Sequence, residues 1–400
     1  MKSILSFLAC LLPMMISANN PQGVVEGNNK FAFQLFHQVQ GSTTGNQFYS
    51  PFSISTALAM VYGGARNETA LQMSQTLNFP LNDKFHGEYK HLLGKLHDGA
   101  DGKIKLNIAN GLWAQKDFKF LDSYFNLVKQ NYNSELKNVD FKDNAEREAT
   151  RRDINSWVEK NTNDKIKNIL SQGDLNAMTR LVLVNAIYFN ADWTTPFKIE
   201  STKPREFSLV NGTKTIVSFM NQLGQFNYYE DSKIQAIEIP YKENKASMVI
   251  ILPITTDGIK ELGKSLDYKY YQEIIEALQS TDVGLSFPKF KMDLQLELST
   301  TLSQMGMPLA FSPEGADFSG MTGKRDLFIS KVIHQAFVKV DEIGTEAAAA
   351  TAVAMSLGSA PHYVEPKIFN ADHPFVFLIK DNTTGSILFM GTIMKPEVSK

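Results

Sequence analysis

The stretch Glu342–Ser356, EIGTEAAAATAVAMS, constrains this chain more than any other, because no single secondary structure suits it. Alanine is the strongest helix former. Yet VIHQAFVKV at Val332–Val340, rich in strand-favouring residues, feeds straight into the segment. Side chains this small bury little apolar area, so the resting segment is expected to be an exposed, mobile loop. In a strand its alternate residues sort onto two faces. Thr345, Ala347, Ala349, Thr351, Val353, Met355 and Leu357 form one, small at first and then apolar, as a face entering a packed core would be. Glu346, Ala348, Ala350, Ala352, Ala354 and Ser356 form the other, which carries the charge. The segment reads as a loop in one state and a buried strand in another.

The 400 residues have ordinary apolar and charged fractions and a formal charge of -2, which describes a soluble globular protein. No basic stripe marks a nucleic-acid partner. Residues 1–18 differ: Lys2 precedes an apolar run from Ile4 to Ile16, and Ser17-Ala18 stands before polar Asn19-Asn20. This is the pattern of a secretory signal cleaved after Ala18. The run is short for a membrane span of about 20 residues, and Phe7-Leu8-Ala9-Cys10 is only a faint lipoprotein box. Cys10 is the single cysteine, so the mature chain is expected to lack disulfides and thiolate chemistry. Its localisation is read as secreted, extracellular or, in a bacterium, periplasmic, and a large core must hold it together.

No linker or internal repeat divides residues 19–400, which read as one domain. Phe31, Leu35, Phe36 and Val39 recur at helical spacing. Ser53 is expected to cap a helix running to Gly63-Gly64, and Asn67 to cap the next. Further helices fit Asp122–Tyr132 and Arg147–Ile169. After Thr179 strands prevail: Arg180–Phe189 is a nearly continuous apolar run, and Asn211-Gly212 is a two-residue hairpin signal. Gln235–Tyr241 pairs with Ala246–Leu252, and Phe375–Ile379 with Ser386–Ile393. The fold class is α+β with large, mostly antiparallel sheets.

Enzyme motifs do not appear. There is no G-x-S-x-G elbow, H-E-x-x-H zinc site or G-x-G-x-x-G fingerprint, and Phe318 replaces the first glycine of a would-be P-loop at Gly320-Met321-Thr322-Gly323-Lys324. His86, His91 and His97 lack metal-ligand spacing and read as surface residues, so neither metal nor cofactor is expected. His334, inside the apolar run Leu327–Val340, reads as buried and hydrogen-bonded rather than as a catalytic base without a nucleophile.

Six blocks in order carry a family resemblance: FYSPFSISTALAMVYGGA from Phe48, NIANGLWAQ from Asn107, LVLVNAIYFNADWTTPF from Leu181, LSQMGMPLAFSPEGADFSGM from Leu302, ISKVIHQAFVKVDEIGTEAAAAT from Ile329 and FNADHPFVFLIKDNTTGSILFMGTI from Phe369. Over nearly its whole mature length the chain resembles the serpins. That resemblance implies three mostly antiparallel β-sheets, about nine helices and an exposed reactive loop at about 342–368. It makes the opening segment the loop's hinge, comprising Glu342, Gly344, Thr345, Glu346, Ala347, Ala348, Ala349, Ala350 and Thr351. Gly344 would permit a turn, and Thr345 would be the first side chain to enter the sheet. Ser50, Pro51, Ser53, Ser55, Asn185 and His334 match the shutter, where the central sheet opens. Trp193 matches the breach, where the loop first enters. Ile343 departs from the family's usual charged residue.

The implied activity is not enzymatic. It is suicide inhibition, in which a protease cuts the loop, forms an acyl-enzyme and is carried away as the loop inserts. The family's register puts the reactive bond at Gly358-Ser359, with Leu357 or Tyr363 as alternative bait. No Lys or Arg lies between Lys339 and Lys367, which disfavours trypsin-like targets. An elastase-, subtilisin- or chymotrypsin-like serine protease is expected as the covalent partner, with papain-like cysteine proteases as an alternative. A non-inhibitory binding or storage protein on the same scaffold is the other reading. The protein is expected to be a monomer. Lys90, Lys95, Lys103 and Lys105 are interrupted by acids and glycines, so heparin-like polysaccharide is not expected. Asn67, Asn211 and Asn382 fit the N-x-S/T pattern.

Overall fold

The computed structural model describes residues 21–40, 45–82, 84–99, 104–132, 134–345 and 365–397. Within them the longer helices are α1 (Gln22–Gln40), α2 (Pro51–Tyr62), α3 (Asn67–Leu77), α4 (Phe85–Gly99), α5 (Asp122–Tyr132) and α6 (Asn144–Asn161). Four shorter ones follow: α7 (Ile259–Ser265), α8 (Tyr268–Ala277), α9 (Ser299–Met305) and α10 (Ser319–Thr322). The strands are β1 (Gln47–Tyr49), β2 (Ile104–Gln115), β3 (Glu135–Val139), β4 (Leu181–Asp192), β5 (Lys203–Ser208), β6 (Lys214–Glu230), β7 (Ile234–Pro240) and β8 (Ala246–Pro253). Then come β9 (Gln279–Pro288), β10 (Phe290–Glu297), β11 (Lys331–Val340), β12 (Gly344–Thr345), β13 (Lys367–Asn370), β14 (Phe375–Asp381) and β15 (Ile387–Ile393).

The central sheet has six strands in the order β10-β11-β12-β4-β2-β3. Its middle is unusual: β4 and β11 pair in parallel from Lys331↔Val182 to Phe337↔Tyr188, while the two residues of β12 lie between them farther along. Both faces of β4 are covered, which explains its unbroken apolar run. Val182, Val184, Ala186 and Tyr188 join a cluster with Ile154 and Val158 of α6, whereas Leu181, Leu183, Ile187, Phe189 and Ala191 join the main core. Asn185 shares the second row, so an amide stands where alternation calls for an apolar side chain.

Three sheets are implied by the family resemblance. Among the described residues hydrogen bonds link the remaining strands into one nine-stranded sheet, because β6 is continuous. It pairs with β5 at Lys214–Phe219 and with β7 only from Asn227 to Glu230, so two blocks of strands share one long member. Antiparallel pairing prevails; β4–β11, β2–β3 and β9–β13 are parallel.

Several local expectations are corrected. Ser50, not Ser53, caps α2: its Oγ accepts from the Ser53 N–H at 3.1 Å. Pro51 takes the first helical position, where no N–H is needed. Asn67 does not cap α3; it is the first residue of that helix and donates instead to Asp317. Helix α6 starts at Asn144, capped by Asp143, and stops at Asn161 because Asn163 and Asp164 adopt left-handed backbone. The β5–β6 hairpin closes through Leu209–Thr213 rather than two residues, with Gly212 at φ 81°. Strand β2, in the mostly helical first half, was not signalled by any alternation.

Candidate functional site

The chain after β11 turns back at Asp341 and re-enters the sheet. The Asp341 N–H donates to the Gly344 carbonyl at 2.9 Å, and Asp341 Oδ1 accepts from the Ile343 N–H at 3.1 Å. Thr345 then pairs with Val340 on one side and Ala191 on the other. Glu342, Gly344 and Thr345 are thus buried, which corrects the expectation that the segment is exposed from its first residue. Gly344 is required for close approach rather than for a turn: a Cβ there would lie 2.1 Å from the Ala191 carbonyl oxygen. Burying the Thr345 hydroxyl is tolerated because Tyr241 OH lies 2.7 Å away.

Trp193 holds this junction together. Its ring stacks on Tyr241 at 4.4 Å and 10°, and Nε1–H donates to the Asp341 carbonyl at 3.0 Å. Its backbone N–H donates to the Ile343 carbonyl at 2.8 Å, and the Phe197 N–H to that of Glu342 at 2.8 Å. The Glu342 carboxylate accepts from Lys289 Nζ at 2.7 Å and Thr202 Oγ1 at 2.8 Å. Burial alone would raise its pKa, but these donors outweigh that cost and hold it below the ordinary glutamate value. The sequence did not single out Tyr241, Lys289 or Thr202, which lie far away along the chain.

Farther down the seam, His334 and Asn185 are register partners on β11 and β4. Both are buried. The Ser50 N–H donates to His334 Nε2 at 3.0 Å, so Nε2 carries no proton and Nδ1–H donates to Asn185 Oδ1. Burial pushes the imidazole down to about 3, which keeps it neutral. Asn185 Nδ2 donates to Ser53 Oγ and Asn110 Oδ1, and Ser50 Oγ donates to the Leu388 carbonyl at 2.6 Å. Ser50, Ser53, Asn185 and His334 thus meet in one hydrogen-bonded network, with Pro51 next to Ser50 at the start of α2. Ser55 does not join them. It lies around the helix from Ser53 and donates to Asn28 Oδ1 at 2.6 Å. Asn110, on β2, was missed; its signal is a polar residue paired in register with Asn185.

His86 is half-buried rather than on the surface, with Nδ1 2.6 Å from Tyr132 OH, and burial lowers it to about 4. The signal segment 1–18, hinge residues Glu346, Ala347, Ala348, Ala349, Ala350 and Thr351, and Leu357, Gly358, Ser359 and Tyr363 lie outside the described residues.

A two-residue strand seated at one end of the β4–β11 seam and a buried polar network farther along it mark the middle of the central sheet. A family model described as "Serpin (serine protease inhibitor)" matches residues 26–396. The chain belongs to the serpin family. Serpins are protease inhibitors that bind target proteases and are not themselves enzymes. This serpin is 42% identical over 374 residues to a leukocyte elastase inhibitor of Xenopus tropicalis, covering 92% of this chain and 97% of the relative. Among solved structures it resembles Serpin48 of the insect Tenebrio molitor, with a TM-score of 0.84, 32% identity and 96% and 100% of the two chains covered. Human thyroxine-binding globulin, in complex with thyroxine, is also similar: TM-score 0.84, 31% identity, 94% and 100% covered.

Proposed function

We propose that this serpin is a secreted, irreversible suicide inhibitor of an elastase-, subtilisin- or chymotrypsin-like serine protease. One observation carries the reading: Gly344 and Thr345 already occupy the first positions between β4 and β11, in antiparallel register with β4 and with the lead side chain buried. Nothing bulky or charged follows on the same face before Val353. Inserting about 15 residues at roughly 3.3 Å each would carry the bait end about 50 Å. A protease joined to Gly358 through its acyl bond would travel with it. Insertion competes with deacylation, and an added barrier of about 1.4 kcal/mol slows it tenfold. The lack of any cation from Val340 to Pro366 supports a small or apolar bait, and the name of the Xenopus relative supports an elastase-like target. Export is supported by the N-terminal segment.

The test is to mix the full-length mature protein with pancreatic elastase, subtilisin and chymotrypsin. A covalent complex that survives boiling in SDS is expected, with mass spectrometry placing the cut at Gly358-Ser359 rather than after Leu357 or Tyr363. Clipped serpin and active enzyme in every mixture would refute inhibition. If, in addition, cleavage left the melting temperature unchanged, the scaffold would serve a non-inhibitory binding role.

A further inference from the structure

On an outer face of the nine-stranded sheet, the register sets two rows of residues across β6, β9 and β13. Leu223, Gly284 and Ile368 form one row, and Asn221, Ser286 and Asn370 form the next. Register partners share a face, as do residues two apart in a strand. Leu223 and Ile368 are 68% and 65% exposed, two large apolar side chains standing in solvent with a glycine between them. That glycine makes a notch, since a Cβ at Gly284 would already lie 3.3 Å from Ile368 Cδ1. The hollow measures about 480 Å³, enough for a small ligand.

The second row gives the hollow a polar end. Asn221 Nδ2 donates to the Ser201 carbonyl at 2.8 Å and the Phe219 carbonyl at 3.0 Å, so both amide hydrogens are used and the side chain is oriented. Its Oδ1 accepts from no donor among the described residues. Arg205, on β5, reaches the same row. Its guanidinium lies over the Phe219 ring at 5.1 Å, and Nη1 donates to Ser286 Oγ, in the register partner of Asn221. Arg205 has no carboxylate partner among the described residues, and a guanidinium carries five N–H groups, so donors remain for an anion. Asp372, which touches this row, is already engaged: it accepts from Asn370 Nδ2 at 2.7 Å, and His373 Nδ1 lies 2.8 Å from its other oxygen.

We infer that this notch binds the carboxyl-terminal residue of a peptide. Its apolar side chain lies over Gly284 between Leu223 and Ile368, its carboxylate pairs with Arg205, and its amide N–H donates to Asn221 Oδ1. Spacing is what lets one residue meet all three. The two rows are roughly 6.6 Å apart along the strands, within reach of a branched side chain, and Asn221 and Ser286 stand on strands about 4.8 Å apart, close enough for the neighbouring amide and carboxylate of one residue. The planar guanidinium suits a carboxylate, which it can hold through two parallel hydrogen bonds. None of these groups belongs to the β4–β11 seam, so the binding does not rest on the suicide mechanism proposed above.

The experiment titrates the uncut full-length protein with acetyl-Ala-Ala-Leu by calorimetry. One equivalent is expected to bind saturably, and acetyl-leucine is expected to compete for the same site. The C-terminal amide of the tripeptide should bind at least about tenfold more weakly, the usual loss for a hydrogen bond to a charged group. Arg205→Gln should weaken the acid by a similar factor and barely affect the amide. Gly284→Leu, which fills the notch from its exposed face, should abolish binding. No saturable binding, equal binding of acid and amide, or binding unaltered by Gly284→Leu overturns the site; failure of acetyl-leucine to compete overturns recognition through the last residue. If Arg205→Gln fails to fold, the comparison of acid with amide and Gly284→Leu decide. Failure to inhibit any protease would leave these readouts intact and would count only against the proposed function.

Discussion

The Tyr241 hydroxyl lies 2.7 Å from Thr345 Oγ1, on a ring that stacks against Trp193 at 4.4 Å. The lead residue of β12 is thus held by a hydrogen bond on the same aromatic pair that packs beside it. Tyr241→Phe keeps the stack and removes the bond, leaving a buried threonine hydroxyl unpaired. It should cost about 1–3 kcal/mol of stability in urea denaturation and speed amide exchange at Thr345.

Gly344→Ala tests the close approach. An added Cβ would meet the Ala191 carbonyl oxygen at 2.1 Å and Asp192 Cα at 2.6 Å, both backbone atoms that cannot swing aside. The variant should lose about 1–3 kcal/mol or expel the hinge from the sheet, seen as faster exchange and easier proteolysis at residues 344–345.

Thr345→Arg would bury a cation at the head of the inserting strand, where Thr345 is fully enclosed. The variant should be cleaved at the same bond as the parent yet form at least about tenfold less SDS-stable complex, because hydrolysis outruns insertion.

Glu342 links the hinge to Lys289 at 2.7 Å. Its pKa in the folded protein is depressed, so the folded state binds its proton less readily than the unfolded chain does. The stabilisation is complete above the unfolded value near 4.5 and is lost as the pH falls through the folded value. Glu342→Gln should cost about 1–2 kcal/mol at pH 7, and the gap from the parent should shrink below about pH 4.5.

His334 behaves as a base whose folded pKa is depressed, from 6.5 to about 3. The unfolded chain takes up its proton near pH 6.5, while the folded protein does not until about pH 3. Stability contributed by this group is therefore present above pH 6.5 and declines from there toward pH 3. NMR at pH 5 should find a neutral Nδ1–H imidazole, and His334→Gln should flatten the pH dependence of stability across that window.

Much of this was legible in the chain itself. Alternation and apolar runs located β4, β7, β8, β14 and β15, and helical spacing located α1, α2 and α5. Boundaries failed where backbone conformation decided them: left-handed Asn163 and Asp164 end α6 earlier than the apolar pattern suggests. Strand β2 escaped because its alternation is broken, exposed at Lys105 but buried continuously from Ala109 to Gln115. At the site, His334 was readable as a polar group in an apolar strand, and Asn185 only through the family resemblance. Tyr241, Lys289 and Asn110 were not, because each acts through a partner that only the folded register brings near. The seated Gly344 and Thr345 escaped for a related reason: small-residue composition speaks of little buried area, not of a glycine resting against a carbonyl.

The register of β12 has a consequence for traffic along the seam. Thr345 stands opposite both Ala191 and Val340, and His334 stands opposite Asn185, so the same count of residues leads down either strand to that locked pair. In the inserted state proposed above, an unbroken antiparallel register brings Thr351 level with both, on the face that Thr345 leads. The residue that would wedge apart the imidazole and the amide carries a hydroxyl, able to donate to one and accept from the other. The lock and its key are written into one strand spacing, so a one-residue deletion between Thr345 and Thr351 would put an alanine at the lock.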